Sequence, residues 1–346
     1  MKTETMRAMC LIGFGGTENL KYCTDLPVPT PDDDEVLIKV AACGVNNTDI
    51  WTREGAYGEG VESGWQGENA FQFPRIQGFD IVGRITAVGK QVSPARIGTR
   101  VMVNPSIYAD DGIYGAAYIG SERDGGFAEY TTVPSQNALE INSSYSDAEL
   151  ATFMTSYMTA EHMLNRAELS ANETILITGA SGGVGSALIQ LASLRGARVI
   201  AVISKGKEAA LKQFDIEGVV FRGEQEISSV IRKQIGISCV EVVADIVAGE
   251  QVEKLFDLLC VGGRYVTAGA IAGPMVTLDW RKLYLKHLTV LGATMGTQAD
   301  AKQIVAYVAA GKIKPLLAGS YALDELIQAQ RDFKKKKHFG KFVIIP

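Results

Sequence analysis

The stretch ITGASGGVG, Ile177 to Gly185, carries an apolar strand straight into a glycine triad and then into a helix start built of small residues. Gly182, Gly183 and Gly185 have no Cβ, so the backbone can turn tightly and approach a ligand, and the N–H groups that open the next helix face its phosphates. With Ala180, Ser181 and Val184 they form a seat for a pyrophosphate. A glycine triad alone is a weak signal. This one follows the strand-like ETILITG and precedes SALIQLASLRGARVIAV, which reads as helix, short turn and second parallel strand, the context of a dinucleotide fold.

The wider pattern agrees. After a helical stretch, SDAELATFMTSYMTAEHMLNRAEL, strands ETILITG, ARVIAV, GVVF, VEVVADIV, GRYVTAGA and LTVLGAT alternate with helices, as a doubly wound parallel sheet requires. Between Met6 and about Glu140 the rhythm is different: RAMCLIGFG, DEVLIKVAACGV, DIVGRITAVG, TRVMVNP and GFAEYTTVP are short runs broken by glycine and proline, the signature of a barrel-like β domain. The tail from about Gly296 offers a helix, a turn at Lys314 and Pro315, a second helix and a closing strand, too little for a domain of its own. The expected class is therefore α/β, with residues 1–151 and 297–346 forming the β domain and residues 152–296 a Rossmann domain. Two long loops interrupt the β part. Gly55 to Pro74 carries Trp65 and Phe71, and Asn104 to Gly126 carries Tyr108, Asp110, Asp111, Tyr114, Tyr118 and Glu122; loops of that length serve as lids, interface arms or substrate walls.

Composition narrows the partners. The 346-residue chain has a formal net charge of −5 and is 47% hydrophobic, which disfavours both disorder and a nucleic-acid groove, since the latter needs a concentrated basic face. A small-molecule substrate is expected, with no nucleic acid and no membrane. Neither a signal peptide nor a run of about 18 apolar residues is evident, so a cytoplasmic location is expected. Five scattered cysteines, Cys10, Cys23, Cys43, Cys239 and Cys260, without a CxxC pair, are expected as free thiols.

VLIKVAACGVNNTD, IQGFDIVGRITAVG, GTRVMV, GGFAEYTTVP, the ITGASGGVG turn, GGRYVTAGA and the closing HFGKFVI together resemble the medium-chain dehydrogenase/reductase superfamily, the alcohol dehydrogenase and quinone oxidoreductase group, over essentially the whole length. The resemblance implies a GroES-like β-barrel catalytic domain, closed by the C-terminal segment, around the inserted Rossmann domain. In the zinc alcohol dehydrogenases of that group the metal takes two cysteines and a histidine; aligned here, those positions hold Asn46, Phe79 and, approximately, Met154. None is a zinc donor, because zinc takes thiolate, imidazole or carboxylate at about 2.0–2.3 Å. Cys43 falls on a non-ligand position, Asp80 alone cannot make a site, and Asn104 to Gly126 has no cysteine for a second, structural zinc. His162, His287 and His338 lie away from these motifs. No metal is expected, and the branch implied is the zinc-free quinone oxidoreductase or zeta-crystallin-like one, which reduces quinones and other conjugated carbonyls with a nicotinamide hydride.

At the end of the second Rossmann strand, where NAD sites carry an acidic residue on the ribose, this chain has ISKGK. Ser204, Lys205 and Lys207 offer a hydroxyl and two cations to a 2′-phosphate, which points to NADP(H), with Arg222 as a further candidate. The alternative is that these lysines are solvated at the head of a surface helix, as the Lys334 to Lys337 run is expected to be. Family positions put Asn46, Thr159, Val247, Gly269, Ala270 and Lys341 on the nicotinamide side, and Tyr57 at the substrate. Asp49 is expected as a partner of nearby backbone. Three functions follow: an NADPH-dependent, zinc-independent reductase of quinones or α,β-unsaturated carbonyls; an alcohol dehydrogenase; or a cofactor-binding protein with little turnover. The strand LTVLGATMG, Leu288 to Gly296, has an apolar edge that relatives pair with a second copy, so a homodimer or dimer-based tetramer is expected.

Overall fold

A computed structural model describes residues 4–57, 71–109, 112–223 and 226–346. The chain divides into two compact units, Met1–Thr155 with Thr297–Pro346, and Ser156–Gly296.

The second unit is a six-stranded parallel sheet. Its strands are Thr174–Ile177, Arg198–Ile203, Gly218–Phe221, Val240–Asp245, Leu259–Thr267 and Thr289–Gly292, and their spatial order, taking them as first to sixth, is 3-2-1-4-5-6. Ile175, Leu176, Ile177, Val199, Ile200, Val202, Val242 and Val243 are all buried, the continuous apolar reading that a sheet covered on both faces demands. Helix Gly183–Leu194 follows the first strand, and Ala187, Leu188, Ile189, Leu191 and Ala192 bury it. The connecting helix after the second strand is a single turn, Glu208–Leu211, and the one after the third, Ile227–Val230, continues into a π-helical turn, Ile231–Ile235.

The first unit is mostly antiparallel. A seven-stranded sheet runs Ala138–Glu140, Arg100–Val103, Asp80–Val88, Glu35–Gly44, Lys341–Ile345, Leu317–Ala322, with Tyr130–Pro134 also paired to Glu35–Gly44. A three-stranded sheet joins Thr5–Leu11 with Leu20–Pro27 and Arg75–Ile76. The closing strand Lys341–Ile345 lies antiparallel to Glu35–Gly44, placing Val343 opposite Gly44, and its other side takes Leu317–Ala322 in parallel. Phe342 and Ile344 therefore join one core with Val36, Ile38, Ile81 and Phe127.

Three sequence expectations need correction. Cys239 and Cys260 are bonded to each other, with Cα atoms 5.1 Å apart. They flank Val240 and Leu259, which are register partners in adjacent strands, a juxtaposition that no local spacing announces. Asn104 to Gly126 is not one loop, because strands Ser106–Tyr108 and Gly115–Tyr118 pair as a hairpin within it. The tail contributes a strand, Leu317–Ala322, that its sequence does not signal. Asp110, Asp111 and Trp65 lie outside the described residues.

Strand Thr289–Gly292 ends the parallel sheet and is shorter than the nine-residue run expected, yet Val290 on it is 50% exposed. Trp280, Leu285 and Met275 in the segment before it are 69%, 67% and 87% exposed. Apolar surface beside an open sheet edge is an aggregation hazard unless a partner covers it, and a two-fold related copy can do so with the same residues. We propose that a second copy does. Light scattering at micromolar concentration should give twice or four times the chain mass, with Val290→Lys shifting it toward the monomer; a monomeric mass for the unaltered chain refutes the assembly.

Candidate functional site

In the second unit, the phosphate turn begins where Thr178 leaves the first strand. Gly182 is the N-cap of helix Gly183–Leu194 and, having no side chain, makes no capping hydrogen bond. The first N–H groups of a helix have no partner within it, so an uncapped start leaves donors and a positive dipole end for an anion. Gly182 is exposed, and a Cβ added there would meet only the Gly179 carbonyl oxygen, at 3.4 Å. Nothing in the protein itself requires a glycine at that spot. Gly185 is different. Its Cβ would stand 2.3 Å from the Gly179 oxygen and 2.7 Å from the Ala180 Cα, so it is a packing glycine. Ala180 is buried, while Ser181, Gly183 and Val184 are partly exposed on the turn.

Beyond the second strand, the Arg222 guanidinium donates to the Ser204 hydroxyl at 3.3 Å, and the Arg222 N–H donates to the Ile203 carbonyl at 2.8 Å. Lys205 is exposed and Lys207 half-buried. Burial, and after it the Arg222 guanidinium, hold the Lys207 ammonium below its usual range, so an anion meeting both cations would relieve their repulsion. The structure thus promotes Arg222, a secondary candidate by sequence, to a partner of Ser204. Thr159 is buried on helix Met154–Arg166. Val247 is buried at the end of the fourth strand, and Gly269 and Ala270 follow the fifth and are partly exposed.

The first unit holds a buried polar cluster. Asp80, the first residue of its strand, accepts hydrogen bonds from the Thr155 N–H at 2.6 Å, from the Asn46 amide at 3.0 Å and from the Lys341 ammonium. Lys341 also donates to Asn46 Oδ1 at 2.7 Å. Asn46, Asp80 and Lys341 are all at least 95% buried, so the desolvation of the ion pair is offset by the hydrogen bonds to Asn46 and the Thr155 N–H. Asn46 caps helix Asn47–Glu54, and its N–H donates to Asp49 at 2.6 Å, which makes Asp49 a structural partner of backbone. Burial, opposed by that hydrogen bond and reinforced by the Asp80 charge, raises the Asp49 carboxyl to about 8. Tyr57 is partly exposed, shares a hydrogen bond of 2.8 Å with the Thr48 hydroxyl and stands edge-on to Trp51. Of the residues that the family resemblance sets against zinc ligands, Asn46 lies in this cluster, and Phe79 and, approximately, Met154 are buried and apolar. Among the described residues, no three His, Cys, Asp or Glu side chains gather as a metal site would need.

Residues 32–143 match the model of the alcohol dehydrogenase GroES-like domain, and residues 183–310 match that of the zinc-binding dehydrogenase domain. A quinone oxidoreductase of Lama guanicoe is 30% identical over 98% of this chain and 97% of its own. The chain belongs to the medium-chain dehydrogenase/reductase superfamily. Its two units are thus the GroES-like and Rossmann parts of that architecture, and it is an oxidoreductase of a family that binds nicotinamide cofactors. An NAD-dependent alcohol dehydrogenase of Sulfurisphaera tokodaii is 28% identical over 99% of this chain and 100% of its own. The solved structure of a candidate alcohol dehydrogenase from Sinorhizobium meliloti is 50% identical, covers 99% of this chain and 97% of its own, and superposes with a TM-score of 0.95. No described helix is long and apolar enough to cross a membrane.

Sequence reasoning missed Thr178, Asp245 and Tyr265, the two hydroxyls of which donate to the Asp245 carboxylate beside the turn. The one available signal was an acidic residue closing the buried strand VEVVAD, Val240–Asp245.

The two turn glycines, equivalent by sequence, separate in their expected effects. Gly182→Val should fold normally and lose dinucleotide binding, whereas Gly185→Val should cost about 1–3 kcal/mol or more of stability through overpacking. Thermal unfolding together with a fluorescence titration checks both, and a Gly182→Val protein that binds as the unaltered one does removes the turn as the seat.

Asp49 supplies a pH test. Its folded pKa of about 8 lies above the unfolded value near 3.9, so its contribution is full below about pH 4 and is lost as pH rises through about 8. Across that window it lowers stability by up to about 1.4 kcal/mol per pH unit. Asp49→Asn should flatten the decline in unfolding free energy between about pH 5 and 8. An unchanged slope contradicts the buried, protonated assignment.

Proposed function

We propose that this oxidoreductase is an NADPH-dependent, zinc-independent reductase of quinones or α,β-unsaturated carbonyl compounds. The observation that carries the reading is the Asn46, Asp80 and Lys341 cluster. At the positions where zinc relatives hold a metal, this chain has an amide, and the adjoining carboxylate is neutralised by the chain's own ammonium. Without a Lewis acid to polarise an isolated carbonyl, an acceptor already activated by conjugation is preferred. When bound, the cofactor supplies the hydride that enters this acceptor, and water can supply the accompanying proton.

The chain's own residues divide the work. The turn Ser181 to Gly185 presents backbone donors to the pyrophosphate, and Ser204, Lys205, Lys207 and Arg222 meet the 2′-phosphate. Val247, Gly269 and Ala270 offer backbone to the nicotinamide, with Thr159 as a side-chain partner. Lys341 holds the Asn46 amide by its oxygen, fixing which way that amide points. Tyr57 lines the substrate side.

A second reading, alcohol dehydrogenase, is favoured by the 50% identity to the Sinorhizobium meliloti structure. Turnover of quinones, enones and simple alcohols with each cofactor, before and after dialysis against a chelator, separates the two. Reduction of conjugated acceptors by NADPH that survives the chelator supports the proposal. About one zinc per chain, with alcohol oxidation lost to the chelator, overturns it.

Cofactor choice is tested separately. Charged hydrogen bonds contribute about 1.5–3 kcal/mol each, so removing two should weaken NADPH by about a hundredfold. Replacing Lys205 and Lys207 together by Ala should therefore raise the NADPH dissociation constant far more than that of NADH. Equal affinities of the unaltered protein for both cofactors contradict the assignment.

A further inference from the structure

Four donors converge on the carboxylate of Asp245, which is fully buried at the end of the fourth strand of the Rossmann sheet. They are the Thr178 hydroxyl, the Tyr265 hydroxyl, the Val247 N–H at 2.8 Å and the Ala248 N–H, which reaches both oxygens at 3.2 Å. The Thr178 oxygen in turn accepts from the Ile246 N–H at 3.2 Å. Burial and the adjoining carboxylate push the Tyr265 hydroxyl well above its usual range, so it stays a donor.

The location gives this hub its meaning. In the strand order 3-2-1-4-5-6 the direction of winding reverses between the first strand and the fourth, and ligands of such sheets bind outside the carboxyl ends of the strands at that reversal. Thr178 is the residue just after the first strand, and Asp245 is the last of the fourth. Their contact spans the reversal point. On one side it holds the strand end that feeds the phosphate turn. On the other it holds Val247 and Ala248, and Ala248 has φ 54° and ψ −145°, a backbone conformation that side-chain-bearing residues rarely adopt. Such a conformation persists only where the surroundings fix it, and both oxygens of Asp245 take the Ala248 N–H. The Val247 carbonyl then accepts from the Ala272 N–H at 2.8 Å, so the loop after the fifth strand is fixed through the same chain of bonds.

We infer that Asp245 is a positioning residue for cofactor binding, one carboxylate that sets the backbone of residues 246–248 against the phosphate turn so that the nicotinamide half of the dinucleotide finds a formed surface. The inference rests on the proposed reading of this unit as the dinucleotide seat. It adds that the two halves of the ligand depend on different parts of the cradle. The adenosine half belongs over the first three strands, with Ser204 and Arg222, and the nicotinamide half over the fourth and fifth, where Asp245 acts.

The test uses the full-length protein with three probes, NADPH, NADH and adenosine 2′,5′-bisphosphate, the last carrying only the adenosine end. Asp245→Asn keeps the shape but weakens the acceptor; NADPH and NADH should each bind about tenfold or more weaker, and the bisphosphate within about twofold of its original affinity. A general loss of structure would weaken all three in parallel. Should the Asn variant fail to fold, Tyr265→Phe removes one donor only, and a rise of about threefold in the NADPH constant, with none for the bisphosphate, is expected. Unchanged NADPH affinity in a folded variant, or parallel loss of all three probes, overturns the inference. Failure of the unaltered chain to bind either dinucleotide overturns the underlying reading and this inference with it.

Discussion

The carbonyl oxygen of Gly179 lies 2.3 Å from where a Cβ on Gly185 would stand, and that close approach fixes how helix Gly183–Leu194 leaves the first strand of its sheet. Everything assigned to the second unit depends on it. The helix start must sit tight against the strand end for its unpartnered N–H groups to crowd into one small region. Only then does the bare Gly182, open to solvent, become a cradle rather than a gap. The tight packing glycine and the open, exposed glycine are two sides of one turn, three positions apart.

In the first unit the controlling interaction is a buried charge. Asp80 would be costly alone in a core, since an unpaired buried carboxylate loses its hydration with nothing in return. The closing strand delivers Lys341 to it from 261 residues away, and Asn46 bridges the pair. The C-terminal strand thus does more than seal the sheet. It brings the cation that neutralises the carboxylate and holds the amide of Asn46 by its oxygen. An exposed ion pair would contribute little; one buried to this depth and hydrogen-bonded to Asn46 makes the integrity of the cluster depend on every member.

What the sequence disclosed was the local part of this design. The strand, turn and helix around Ile177 to Gly185 are written in consecutive residues, and so are the six parallel strands, the inner ones with continuous apolar runs because both their faces are covered. Long-range pairings were not legible. Asp245 and Thr178 lie 67 residues apart and Cys239 and Cys260 lie 21 apart, and neither spacing signals a contact until the sheet order makes the strands neighbours. The strand Leu317–Ala322 is not signalled because LAGSYA is mostly small residues, with no apolar and polar alternation. The resemblance to a known family supplied Asn46 and Lys341 as candidates, and only the structure shows that they touch each other and Asp80.

The central claim is that the turn after the first strand and the loop after the fourth together hold a dinucleotide. Hydrogen exchange of the unaltered protein with and without NADPH tests it most directly, because each backbone amide reports for itself. The account predicts slowed exchange at Ser181 to Gly185 and at Val247 and Ala248, with the amides around Cys239 and Cys260, at the opposite ends of the strands, unchanged. Saturating NADPH that leaves the turn amides exchanging at their original rates would contradict it.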